Sequence, residues 1–265
     1  MRKMFAAAAL LLASTLACAA TFPADVTDLW WNPSESGWGV NLIQQSNKVF
    51  ATFFVYGAEG RARWYVSSDM QGVSAGADQP VHYRGDLYET TGPIVGTTFD
   101  PALVTRRLAG TVSFEYHRPS EGILTYTVDG ATVSKRVTRQ TWAVNEIAGD
   151  YWVKLATRSS CTGGGLGMKA LGKMAVRRSG TAVTLNSEAG TWTVCQYSGT
   201  HSQEGRLGRI TGTYSCQDGS AGTFNLSEVE VSDMGLIARY QATDRGCSVD
   251  GQFGGPRATA SFPPD

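Results

Sequence analysis

The chain has 265 residues with 23 Lys or Arg against 23 Asp or Glu, and only three His. Charge this balanced and dispersed gives no electrostatic hold on nucleic acid or on an anionic bilayer. No apolar run after residue 20 is long enough to cross a membrane, so the sequence predicts no integral membrane segment and a chain sized for one large or two small domains.

The first element is a basic start, Met1-Arg2-Lys3, followed by an apolar stretch from Met4 to Leu12 and the small residues Ala17-Cys18-Ala19-Ala20. This is the layout of a secretory signal peptide with an A-x-A-like cleavage site, so residues 1–20 are expected to be removed and the protein to be periplasmic or secreted. Acylation at Cys18, as in a lipoprotein, is disfavoured because a lipobox usually carries Leu three positions earlier and this chain has Thr15. Removal of the leader leaves 245 residues in which 21 basic groups face 23 acidic ones.

Beyond the leader, nearly every segment alternates apolar and polar residues with period two between clusters of Gly, Asn, Asp and Ser, and no helical period is sustained. Strands are predicted near 28–32, 37–45, 48–56, 61–67, 81–89, 107–116, 122–128 and 133–142, then near 149–156, 173–178, 181–186, 190–197, 207–216, 222–230, 235–241 and 247–253. Eight short strands per half, in chain order, predict an all-β protein of two tandem antiparallel meander barrels, with barrel-like sandwiches as the alternative. The domains are read as 21–145 and 146–257, with a tail at 258–265. A match between Arg107–Tyr116 and Arg209–Asp218, and between Asp28-Leu29-Trp30 and Asp150-Tyr151-Trp152, suggests a diverged tandem repeat.

The opening hairpins fix a register. With Ser46-Asn47 as a two-residue turn, Gln45 pairs with Lys48, Leu42 faces Ala51, Val40 faces Phe53, and Trp38 faces Val55. With Gly57–Gly60 as the next turn, Tyr56 pairs with Arg61 and Phe53 lies beside Trp64, which places Trp38, Phe53 and Trp64 together in a core. Asn32-Pro33-Ser34-Glu35 reads as a turn, with Glu35 as a structural residue within it. The other face then carries Asn41, Phe54, Tyr56, Arg61, Arg63 and Tyr65, with Trp31 at a barrel mouth. Exposed aromatic rings beside arginines are the composition of a contact surface, for an unknown small molecule or an envelope protein; packing against the second domain is the alternative.

The segment Trp30-Trp31-Asn32-Pro33-Ser34-Glu35-Ser36-Gly37-Trp38-Gly39, with the following Phe-Ala-Thr-aromatic strand, resembles a group of secreted bacterial proteins that share a Trp-Trp-x-Pro-x-Glu-Ser-Gly-Trp-Gly motif. Gly85–Pro93 and Gly251–Arg257 are similar to segments of the same group. The resemblance implies export and a β-rich fold and assigns no catalytic residue. Asp28-Leu29-Trp30 on a first strand, with Arg139 near the end of a last one, also resembles the closure of lipocalin-like and streptavidin-like barrels, where a Trp lies under an Arg.

The sequence offers little chemistry. His82, His117 and His201 have no close metal-ligand spacing, and no cofactor is implied. Gly251-Gln252-Phe253-Gly254-Gly255-Pro256 resembles the nucleophile segment of chymotrypsin-like proteases, but Phe253 stands where the serine is needed. Cys161–Gly167 lacks the Lys-Ser/Thr of a phosphate loop. Four cysteines of the mature chain, Cys161, Cys195, Cys216 and Cys247, read as two disulfides in the second half, with Cys195–Cys216 and Cys161–Cys247 as the favoured pairing and zinc as the alternative. The resulting expectation is an exported, non-enzymatic binding protein. The competing readings are a hydrolase or isomerase working in a barrel mouth, with His82 or His117 as base and Glu35 as acid, and a structural or inhibitor protein.

Overall fold

A computed structural model describes residues 25–73, 81–117, 120–160, 166–188, 194–244 and 246–258, which form two closed antiparallel barrels of eight strands each. The first contains β1 (Asp28–Trp31), β2 (Gly39–Gln45), β3 (Lys48–Tyr56), β4 (Ala62–Val73), β5 (Val81–Thr91), β6 (Thr105–His117), β7 (Glu121–Val128) and β8 (Ala131–Arg139). The second contains β9 (Gly149–Ser159), β10 (Leu166–Ser179), β11 (Ala182–Ser187), β12 (Cys195–Glu204), β13 (Leu207–Cys216), β14 (Ala221–Val231), β15 (Gly235–Asp244) and β16 (Cys247–Pro256). Each is a meander: strands pair in chain order, β8 returns to β1, and β16 returns to β9. Closure leaves no unpaired edge, which settles the expected choice in favour of barrels over sandwiches. The predicted signal peptide, including Cys18, lies outside the described residues.

The period-two pattern fills each lumen with side chains. Trp30, Phe53, Met70, Tyr83, Leu87, Phe114 and Leu124 are fully buried in the first barrel, as are Tyr151, Leu185 and Ile210 in the second. The outward side of β6, β7 and β8 carries Thr111, Ser113, Thr125 and Ser134, with the last two hydroxyls 2.9 Å apart. Apolar inside and polar outside is the reverse of a lipid-embedded barrel. Among the described residues, no helix is long and apolar enough to cross a membrane.

Both barrels close with one device. Trp30 Nε1 donates to Val26 O at 2.9 Å, and the Arg139 guanidinium lies over the indole at 4.6 Å. Arg139 is buried and paired with Asp28 at 3.1 Å, so its charge is compensated where the ring is desolvated. In the second barrel Tyr151 Oη donates to Ile147 O at 2.9 Å, with Arg257 5.1 Å from the ring. The expected match of Trp30 with Trp152 is therefore one residue out: Tyr151 falls on the inward phase of β9, and Trp152 is 41% exposed. Nor are Arg107–Tyr116 and Arg209–Asp218 topological equivalents, because β6 is the sixth strand of its barrel and β13 the fifth.

Residues 140–148 join the barrels, and the β12–β13 turn packs against the closed end of the first. Arg206 donates its backbone N–H to Asp28 (2.9 Å) and its Nε to Thr27 O (3.1 Å), and pairs with Asp25. Gly205 has φ +62°, and a Cβ there would lie 2.1 Å from Asp28 Oδ2, so conformation and space both demand glycine. Cys195 and Cys216 are direct partners in the β12–β13 register and form a disulfide, as expected. Cys247 is also disulfide-bonded, while the Cys161 half of the expected second bridge lies outside the described residues.

The β2–β3 register follows the expectation, with Val40 opposite Phe53, Leu42 opposite Ala51, and Ser46 in the left-handed region that a two-residue turn needs. The next hairpin departs from it. Gly57 N–H donates to Arg61 O, which keeps Arg61 inside the turn and makes Ala62, not Arg61, the partner of Tyr56. One residue of slip exchanges the two faces of β4: Tyr65 joins Phe53 in the core, and Trp64 pairs with Phe54 on the outside.

Candidate functional site

The outward side of β3 and β4, corrected by that slip, carries three half-exposed aromatic rings. Phe54, Tyr56 and Trp64 are 50%, 59% and 51% exposed, and Phe54 and Trp64 are direct cross-strand partners. Tyr56 is held upright by its hydroxyl, which donates to Gly37 O at 2.9 Å. Gly37 is at φ +119° with the tyrosine hydroxyl 3.4 Å from where a Cβ would sit, so its bare backbone accepts the ring.

Of the other predicted contact residues, Asn41 and Trp31 line a cleft of about 470 Å³ with Phe54, Trp38 and Gln140. Trp31 therefore faces an exterior cleft and not the barrel lumen. Arg61 is exposed in the turn. Arg63 stays partly exposed but is paired at the rim, and Tyr65 leaves the surface for the core. Tyr65 is 5% exposed and packs in the core. Arg63 is tied to Glu59 (3.3 Å) and Glu89 (3.2 Å) in a rim network that continues through Arg107 to Asp129. Mutual pairing holds the Asp129 carboxyl below its usual range and the Arg107 guanidinium above its own, so these charges are already used.

Two elements extend the surface beyond the sequence reading. Trp64 was misplaced by the turn length, which strand periodicity does not determine. The β5–β6 connection, to which strand alternation assigns nothing, carries a 3₁₀ turn (Pro101–Leu103) whose approach exposes Ile94, Val95 and Phe99, Val95 completely. It is held by its own hydrogen bonds, Thr97 N–H to Ile94 O at 3.2 Å and Ala102 N–H to Asp100 Oδ1 at 2.9 Å. The signal available was the apolar content of Pro93-Ile94-Val95-Gly96-Thr97-Thr98-Phe99, high for a segment rich in turn residues. Outward Tyr88 on β5 and Leu108 on β6, cross-strand partners, link this loop to the ring pair. Arg106 covers Tyr88 at 4.8 Å.

The proposed acid–base pair is not assembled. Glu35 accepts from Lys135 Nζ at 2.8 Å and Trp38 Nε1 at 3.0 Å, and the lysine hydrogen bond holds its carboxyl below the usual range. A general acid needs the opposite shift. His82 and His117 lie 3.8 and 2.9 Å from Glu115, and their partner is that carboxylate, not Glu35. The turn around Glu35 is the expected one: Glu35 N–H donates to Asn32 O (2.9 Å) and Ser34 N–H to Asn32 Oδ1 (3.0 Å). Among the described residues, no group of three or more His, Cys, Asp or Glu is arranged to hold a metal. No protein-family model matches this chain, and no curated protein sequence matches it either.

Proposed function

We propose that this chain is an exported, non-enzymatic binding protein of the bacterial envelope that docks a protein partner on the aromatic end of its first barrel. The observation that carries the reading is the exposure of Phe54, Tyr56 and Trp64 on two adjacent strands, with Ile94, Val95 and Phe99 also exposed on the β5–β6 connection of the same barrel. Large rings at an exposed patch centre are the composition of interface hot spots, and isolated monomers rarely leave such a patch to water. The loop and Tyr56 are already fixed by hydrogen bonds, so little ordering entropy opposes docking. The surface is built on paired strands of a closed barrel, which has no free edge, so a partner would dock on its side chains and not by strand addition.

Export is supported by the basic-apolar-small start of the sequence, by its resemblance to secreted bacterial proteins with the Trp-Trp-x-Pro-x-Glu-Ser-Gly-Trp-Gly motif, and by the disulfides, which persist in oxidising compartments. A small molecule in the 470 Å³ cleft is the second reading, favoured by a lining that joins the amides of Asn41 and Gln140 to the rings of Trp31 and Phe54. Photo-crosslinking in living cells separates them. A benzophenone side chain at position 64 is expected to give a discrete protein adduct, and the same group at Thr125 on the polar side none. Equal labelling from both positions, or none from position 64, rejects the protein-docking reading; protection of position 64 without a protein adduct points to the small molecule.

A further inference from the structure

The second barrel bears a different surface. On the outward side of β13 to β16, a cleft of about 550 Å³ and a second of about 360 Å³ share Glu228 and Arg239 and so form one continuous groove. Its cause is local. The β14–β15 ladder skips between Ser227 and Glu230, and Glu228 within the skip sits at φ +53°, a conformation that a non-glycine side chain adopts at a cost. The bulge bends β14 away from its neighbours.

The groove is lined by planar polar groups in cross-strand rows. Asn225, Gln241 and Asp250 are successive partners across β14, β15 and β16, and Arg239 and Gln252 form the next row. Arg209 Nε donates to Asn225 Oδ1 and Asn225 Nδ2 donates to Gln241 Oε1, both at 3.0 Å, which fixes the amide planes and leaves the terminal guanidinium nitrogens and the Gln241 Nε2 without a partner among the described residues. The Asp250 carboxylate and the Gln252 amide make no hydrogen bond or ion pair with the described residues. Donors and acceptors thus stand together along the groove, those of Asn225 and Gln241 held by hydrogen bonds.

We infer that this groove binds a neutral glycan chain, whose hydroxyl groups each offer a donor and an acceptor to the Asn225, Gln241, Asp250 and Gln252 rows. Charge argues against a polyanion, since Glu204, Glu228, Glu230 and Asp250 outnumber Arg209, Arg239 and Lys154 along the same groove. Apolar anchors for a peptide side chain are few there, and the closed barrel offers no edge for strand addition. A polyhydroxylated ligand fits this lining, since the Asn225 and Gln241 amides are held by hydrogen bonds and the Gln241 Nε2, Gln252 amide and Asp250 carboxylate still have capacity for hydroxyl partners.

The test uses the mature chain and two soluble probes, chitohexaose and cellohexaose, titrated by calorimetry, with a polygalacturonate of similar length as the anionic control. Saturable binding of at least one neutral probe is expected, weakened about tenfold by Gln241→Ala and about a hundredfold by Asn225→Ala with Gln252→Ala, each hydrogen bond counting for roughly a factor of ten. These side chains point outward, so the variants should unfold at the wild-type midpoint; Thr213→Ala, on the same outer face away from the rows, controls for surface change. Absence of binding to both neutral probes, preference for the polyuronate, or binding untouched by the variants overturns the inference. The outcome is independent of the docking surface on the first barrel, which crosslinking at position 64 reads separately.

Discussion

The two barrels share a topology and a closing device but differ in what holds them and in what they show to solvent. The first buries an indole under a fully enclosed arginine whose terminal nitrogens bond the Asp28 carboxylate and two backbone carbonyls while Nε has no hydrogen-bond partner. The second buries a phenol under an arginine that reaches only backbone carbonyls, and adds a disulfide across β12 and β13, worth about 3 kcal/mol for a loop of this size. Outside, the first presents aromatic rings and the second a polar, amide-rich groove. Closed barrels take their stability from inward residues, so the outward half of every strand is free to diverge. One architecture can therefore carry two unrelated surfaces.

The largest effect that would break this comparison is in the closing device. Trp30→Ala removes a fully buried ring and strips Arg139 of its aromatic contact, so the first barrel should lose about 3–5 kcal/mol in urea unfolding. The transition of the second barrel should move far less, because its core cluster is separate. Equal destabilisation of both would mean that the barrels are one cooperative unit joined through Arg206. A smaller effect sharpens the contrast in pH dependence. His201, buried in the second barrel, has its pKa lowered from 6.5, chiefly by burial and further by Arg178, with Glu146 opposing. The unfolded chain then takes up a proton that the folded one refuses, so stability should fall as pH drops through about 6.5. His201→Gln should flatten that slope; an unchanged slope would place the titrating group elsewhere.

Most of the architecture was legible because alternation and turn residues encode it directly. The hairpin at Ser46-Asn47 was readable to the exact pair, since its two-residue loop admits one register. The candidate surface was legible only in half. Phe54 and Tyr56 were correctly placed outside, but Trp64 and Tyr65 exchanged roles, because Gly57–Arg61 is compatible with a loop of four or five residues and the apolar pattern Trp64-Tyr65-Val66 fits either phase. Only the hydrogen bond from Gly57 to Arg61 decides it. The bulge at Ser227–Glu230 was equally hidden, because nothing in Ser227-Glu228-Val229-Glu230 breaks the strand pattern until the ladder is seen to skip.

That exchange is also where the account is most exposed. Urea unfolding of Trp64→Ala and Tyr65→Ala, side by side, measures which ring faces the dry lumen of the first barrel. The structure predicts a change within about 0.5 kcal/mol for Trp64→Ala and a loss of roughly 3 kcal/mol for Tyr65→Ala. The reverse order would return Trp64 to the interior and remove the central ring of the docking surface.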